Sequence, residues 1–257
     1  MSVALITGGA RRLGRAMTLA LAGNGHDVAI HCYASTAEAG ELAARARALG
    51  VRAEVFAADL LDLDAAEALI AEVSARMGPV SVLINNASIF EHDDLSSATR
   101  ASWDRHFGSN LRAPFILSQA FAAQAPKAGL LNGEPRAAGL IVNMIDQRVL
   151  KPTPEFLTYA IAKSGLWAMT RMLAQALAPD IRVNAIGPGP TLQGEHQSAA
   201  QFARQRAATI LRRGADEDDV TAALLYLLSA KSVTGQMICA DGGQHLAWQT
   251  PDVTGVE

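Results

Sequence analysis

Short apolar runs alternate along this chain with longer stretches in which apolar residues recur every three or four positions. Runs at 3–7, 27–32, 52–57, 80–84, 139–144, 181–186 and 236–240 have the length of buried strands. The stretches 13–21, 36–49, 64–77, 100–123, 156–177 and 216–228 carry the spacing of helices. Gly23-Asn24-Gly25 ends the first helix and Gly50 the second. Strands that alternate with helices in this way predict an α/β fold: one parallel, doubly wound Rossmann-type sheet of seven strands with helices on both faces. Two polar segments interrupt the pattern. Residues 129–138 read as a surface loop. Residues 190–213 are long enough between strand and helix to be a substrate lid.

No linker, repeat or low-complexity block divides the 257 residues, so a single domain over 1–257 is expected. Half the residues are hydrophobic and 18 % are charged, which excludes a mostly disordered chain. A net charge of −3 gives no electrostatic reason for a nucleic-acid or membrane partner. Cys32 and Cys239 sit in apolar runs and read as small core residues. The six His show no metal-ligand spacing, so no metal site is expected. The first strand begins at once and no apolar window is long enough to span a bilayer. The expectation is a cytoplasmic protein acting on a small molecule.

Candidate chemistry begins at the turn after the first strand, where Gly8, Gly9 and Gly14 stand in TGGARRLGRAM. Glycines there permit positive φ and close approach of backbone to a pyrophosphate, and the following helix offers its amide end. An ordinary βα turn is the plainer alternative. The second strand, VAIHCYAST, ends without the acidic residue that would hold a ribose 2′-hydroxyl. Arg11, Arg12, His31 and Ser35 stand nearby instead. This set predicts NADP(H), with a 2′-phosphate held by Arg12, His31 and Ser35. Arg11 and Arg12 as solvated surface charge is the plainer reading. Tyr159 and Lys163 share one helical face at i, i+4, where an ammonium would draw a phenol toward its ionised form.

With these motifs in order the chain resembles the short-chain dehydrogenase/reductase family over nearly its whole length. Further matches are Asp59-Leu60, Asn85-Asn86-Ala87, Asn110, Arg182-Val183-Asn184, Pro188-Gly189 and Asp241-Gly242-Gly243. The resemblance implies a cofactor site that includes Gly8, Arg11, Arg12, Leu13, Gly14, Asp59, Leu60, Asn86, Ala87, Ser88, Tyr159, Lys163, Pro188, Gly189 and Thr191. It also implies a homotetramer, and an Asn110 that supports a proton path to Lys163. Two positions depart from the family pattern. Arg12 replaces the middle glycine of the turn, and Asp146 stands thirteen positions before Tyr159, where the family has its Ser. Both departures are shared with pteridine reductases and dihydromonapterin reductases, as are the strings NNASIF and NMID. The resemblance therefore implies an Asp146–Tyr159–Lys163 catalytic set and a pterin site at Ser88, Phe90, Asp146 and Tyr159. Phe90 as plain packing, a carbonyl reductase such as a 3-oxoacyl carrier-protein reductase, and a non-catalytic NADP(H) sensor stay open. In the lid segment, Gln193 and His196 are expected to point inward.

Overall fold

A computed structural model describes residues 2–194 and 197–249. Its main sheet has seven parallel strands: β1 (Val3–Ile6), β2 (Asp27–Cys32), β3 (Ala53–Ala57), β4 (Val80–Asn85), β7 (Gly139–Met144), β8 (Ile181–Pro188) and β9 (Met237–Ala240). The order across the sheet is β3-β2-β1-β4-β7-β8-β9. The chain winds outward one way from β1 through β3, then returns to start the other half at β4. The crevice above the β1–β4 junction is the place where such a sheet binds ligands.

The helices are α1 (Arg12–Gly23), α2 (Thr36–Arg47), α3 (Leu63–Met77), α4 (Arg100–Phe107), α5 (Ala113–Gln124), α6 (Leu157–Ala176), α7 (Ala199–Ala207) and α8 (Glu217–Ser229). Strand alternation feeds two cores. Ala4, Ile6, Val82, Ile84 and Val142 face α1, α2 and α8, packing with Met17, Leu21, Leu42 and Leu224. Val3, Leu5, Leu83 and Ile141 face the other way and pack with Leu69, Val73, Leu117 and Phe121. Both faces of the central strands are buried, which is why they read as continuous apolar runs.

Three elements differ from the sequence pattern. The stretch expected as one helix over 100–123 is two helices joined by a π-turn, Gly108–Arg112. A π-turn admits one extra residue, and such turns concentrate at functional sites. Residues 129–138, expected as a loop, contain a hairpin of β5 (Gly129–Leu131) and β6 (Glu134–Arg136). Its turn is Asn132-Gly133, at φ +53° and +83°, a pairing whose backbone twist suits a tight hairpin. The 190–213 segment, expected as a lid loop, is not all loop, because α7 lies inside it. Ser198 accepts from the Gln201 N–H, and Gln201 returns the bond to the Ser198 N–H, so local capping starts the helix.

Among the described residues no helix is long and apolar enough to cross a membrane.

Candidate active site

The sequence-predicted residues gather at the carboxyl ends of the strands. Gly8 takes φ +58° and its N–H donates to His31 Nδ1 at 3.0 Å. A Cβ on Gly14 would lie 2.1 Å from the Gly8 carbonyl oxygen, so the turn closes only around a glycine there. The end of β4 braces the same turn. Thr7 Oγ1 accepts from the N–H groups of Asn86 and Ala87, both at 2.9 Å. The Asn86 amide donates to the Thr7 and Gly8 carbonyls at 2.9 and 3.1 Å. Arg11 precedes α1 and supplies no side-chain cap, while Leu13 in its first turn packs against the core. The first amides of α1 are therefore left open to an anion. The glycine cradle and the uncapped helix start fit a dinucleotide pyrophosphate.

The set expected to grip a 2′-phosphate does not stay together. His31 is 2 % exposed, and its ring is committed to the Gly8 N–H on one side and the Ala58 carbonyl, at 3.1 Å, on the other. Burial lowers its pKa and keeps it neutral. It is a strut under the turn, not a free phosphate ligand. Arg12 is exposed but its guanidinium donates to the carbonyls of Leu192 and Gln193 at 3.3 and 3.1 Å, bridging the turn to the segment after β8. Ser35 is partly exposed and makes no capping bond at the start of α2, so its hydroxyl is free to meet a phosphate. Asp59 accepts from the Leu61 N–H at 2.9 Å beside buried Leu60. Pro188 ends β8. The Gly189 N–H donates to the Ala240 carbonyl at 2.9 Å, and buried Thr191 donates to the Gly189 carbonyl at 3.2 Å.

The catalytic candidates meet between β7 and α6. Asp146 caps a short turn, Gln147–Val149, accepting from the Arg148 N–H at 2.8 Å. Its other oxygen accepts the Tyr159 hydroxyl at 3.0 Å. Lys163, one turn further along α6 and buried, donates to the Met144 carbonyl at 2.8 Å, and its Nζ lies 5.7 Å from the Tyr159 ring centre. Burial dominates the proton affinities here. It pushes the Asp146 carboxyl up, against the opposing pull of the Arg148 N–H and charge. It lowers Lys163 to about 8. Burial and then Asp146 drive the Tyr159 phenol well above its ordinary range. The sequence expectation that Lys163 draws Tyr159 toward phenolate is thus reversed in the protein by itself. Tyr159 is held as a neutral hydroxyl, which is the form that gives a proton.

Asn110 sits in the π-turn, fully buried. Its amide accepts from the Ile89 N–H at 2.9 Å and donates to the Ile89 carbonyl at 2.8 Å. Its side chain therefore fixes the strand-end loop that carries Ser88 and Phe90. Ser88 is exposed, with only a weak bond to the Ile89 carbonyl at 3.4 Å. Phe90 is 51 % exposed, stacks on Phe156 at 4.4 Å and meets the edge of Tyr159 at 4.7 Å. Gln193 turns to the Gln197 carbonyl within its own segment, and His196 lies outside the described residues.

Sequence reasoning missed four residues. Phe156, in left-handed conformation at φ +55°, completes the aromatic wall. Arg148 lies against that wall, 4.6 Å from the Phe156 ring centre. Asp93 accepts from the Thr158 N–H at 3.1 Å and from its hydroxyl, and so caps the start of α6. His106 extends this buried chain through Thr158 Oγ1 at 2.7 Å. Only Arg148, two residues past Asp146, carried a signal in the sequence.

The sheet order, the glycine turn and the Tyr159–Lys163 pair define a class, and the chain belongs to the short-chain dehydrogenase/reductase family. The family model that matches, described as enoyl-(acyl carrier protein) reductase, covers residues 8–245. A crystal structure of FolM alternative dihydrofolate reductase 1 from Brucella suis in complex with NADP is 44 % identical. It superimposes with a TM-score of 0.91 over 98 % of each chain. A short chain dehydrogenase from Burkholderia cenocepacia J2315, also in complex with NADP, is 30 % identical with a TM-score of 0.86, over 96 % of this chain and 98 % of that one. An uncharacterized oxidoreductase of Bacillus subtilis, YjdA, is 34 % identical over 94 % of this chain and 96 % of its own. The cofactor expected from the sequence is the one both solved neighbours hold.

Proposed function

We propose that this chain is an NADPH-dependent reductase of a C=N bond in a dihydropterin-like ring. The observation that carries the reading is the Tyr159 hydroxyl on the Asp146 carboxylate at 3.0 Å. A carbonyl reductase needs neutral donors around a developing oxyanion, and a carboxylate there works against it. A ring nitrogen that gains a proton gains from a carboxyl nearby. The FolM neighbour, named as a dihydrofolate reductase, supports the same chemistry.

NADPH would lie along the Gly8–Gly14 turn, Asn86, Ser35 and Gly189, and it supplies a hydride to the ring carbon. The residues of the chain do the rest. Half-exposed Phe90, already stacked on Phe156, gives an apolar wall beside Tyr159 against which the pterin ring would lie. Tyr159 gives its hydroxyl proton to the ring nitrogen. Asp146, whose pKa burial raises, can hold a proton and return it to Tyr159 across their shared bond. Lys163 steadies the negative charge that Tyr159 carries between those events. The reaction balances as hydride to carbon and proton to nitrogen. The expected homotetramer stands as a proposal too: α4 to α6 leave Trp103, Phe115, Ile161 and Met172 in solvent, apolar faces suited to a second copy.

The test is NADPH oxidation with 7,8-dihydrobiopterin, dihydromonapterin and dihydrofolate, set beside acetoacetyl thioesters and small ketones. Turnover confined to the pterins supports the reading, and turnover confined to the ketones sinks it. Tyr159→Phe should cost about 10²–10⁴-fold in kcat while NADP(H) still binds. A sensor would lack turnover even before that change.

A further inference from the structure

The Arg148 guanidinium stands at the mouth of the site with no Asp or Glu paired to it among the described residues. Its backbone N–H is spent on Asp146, so the residue is fixed to the catalytic carboxylate. Its side chain runs outward along the aromatic wall, 4.6 Å from the Phe156 ring centre and 5.9 Å from that of Phe90. Glu155, next to Phe156 in the chain, is turned to His92 at 4.0 Å. His92 itself packs edge-on against Phe156. Tyr159 is buried, Arg148 is partly exposed, and Phe90 bridges them, so the wall runs from the proton donor to a free cation.

We propose that Arg148 is a specificity-determining residue that binds a carboxylate carried by the substrate beyond its reacting ring. This rests on the pterin reading given above. A guanidinium packed on an aromatic face keeps its planar edge of N–H donors for a carboxylate, which it can meet bidentately. A cation left unpaired this close to the catalytic carboxyl otherwise only opposes the raised Asp146 pKa that the proposed proton relay uses. A flat ring held beside the Phe90–Phe156 wall with an acidic tail running outward satisfies both features. Dihydrofolate is a substrate of this class, and dihydrobiopterin is its counterpart without the acid.

The experiment measures kcat/KM for dihydrofolate and for dihydrobiopterin in the wild type, Arg148→Gln and Arg148→Lys. The reading is the ratio of the two, in which any change common to both substrates cancels. Loss of a charge-assisted bond predicts that Arg148→Gln lowers the dihydrofolate-to-dihydrobiopterin ratio by about 10–100-fold. Arg148→Lys should restore most of it. An unchanged ratio overturns the proposal and leaves Arg148 acting only on Asp146 and Tyr159. A wild type that reduces neither pterin fails the functional reading instead. Titration calorimetry of the NADP-loaded protein then decides Arg148 separately, with folate against uncharged 6-hydroxymethylpterin. Selective loss of folate affinity in Arg148→Gln upholds it, and equal or no loss overturns it.

Discussion

The Tyr159 hydroxyl donates to the Asp146 carboxylate at 3.0 Å, inside a pocket where burial disfavours charge on both. Asp146 raises the proton affinity of Tyr159, while the Tyr159 bond lowers that of Asp146, so the proton of the bond stays on the phenol. Asp146→Ser, which installs the ordinary family residue, should lower kcat for dihydropterins by about 10²-fold. Asp146→Asn keeps the shape without the charge and should fall as far. Steady-state kinetics on 7,8-dihydrobiopterin checks both. An Asp146→Asn enzyme within threefold of wild type would remove the carboxyl from the proton path.

Lys163 gives a pH signature. Its folded pKa is lowered to about 8 by burial, against an ordinary value near 10.5. Below pH 8 the side chain is charged in both folded and unfolded chains, and the cost of burying that charge is fully present. Between about pH 8 and 10 the unfolded chain keeps a proton that the folded chain releases, so this contribution to stability rises with pH. Lys163→Met removes the effect. Urea melts of cofactor-free protein from pH 7.5 to 9.5 should show wild type gaining on Lys163→Met as pH rises. Parallel curves would place the Lys163 pKa near its ordinary value.

The strand-helix alternation made the fold legible because each central strand is buried on both faces and each helix on one. The meeting of Asp146, Tyr159 and Lys163 was legible because Tyr159 and Lys163 share a helix and Asp146 stands just after β7. What the sequence hid depends on distant contacts. His31 looks like a phosphate ligand until the Gly8 N–H and the Ala58 carbonyl are seen to occupy its ring. The π-turn at Asn110 follows from packing, with Gly108 pressed so near Leu61 that a Cβ would lie 2.9 Å from it. Asp93 sits 65 residues from the helix it caps. The 129–136 hairpin, by contrast, had a local signal in Asn132-Gly133 that the composition of the segment masked.

Asp93 leads to a prediction about how α6 is held. Its carboxylate takes the Thr158 N–H and hydroxyl, its own carbonyl takes the Leu157 N–H at 3.1 Å, and His106 closes the chain from behind. Glu91 N–H donates to His106 Nε2 at 3.1 Å, which leaves the Nδ1 proton for Thr158. Asp93→Ala leaves the first turn of α6 with buried donors and no partner. It should destabilise the fold by about 2 kcal/mol in denaturant melts. Because Tyr159 follows Thr158 directly, kcat should fall with it, while Thr158→Ser, which keeps the hydroxyl, should stay close to wild type. A stable Asp93→Ala protein would show that the buried donors find water instead.

Arg12 combines two opposed effects, and two substitutions separate them. Its backbone is left-handed at φ +51°, which costs a residue with a Cβ about 1–2 kcal/mol. Its guanidinium holds the 190–194 segment through the Leu192 and Gln193 carbonyls, two exposed bonds of modest strength. Arg12→Ala keeps the strain and loses the bonds. Arg12→Gly loses both, at a cost in unfolded-chain entropy of about 0.4–1 kcal/mol. The glycine variant should therefore be the more stable of the two, by about 0.5–1 kcal/mol. Both should free the 190–194 segment alike, raising the KM for substrate and the rate of proteolytic nicking there. Thermal melts and limited proteolysis of the two variants decide the matter. If Arg12→Gly melts below Arg12→Ala, the turn carries no strain at this position. If nicking stays at the wild-type rate in both, the segment is held by the Arg206 bonds to the Pro190 and Ala215 carbonyls, at 3.0 and 2.6 Å, and not by Arg12.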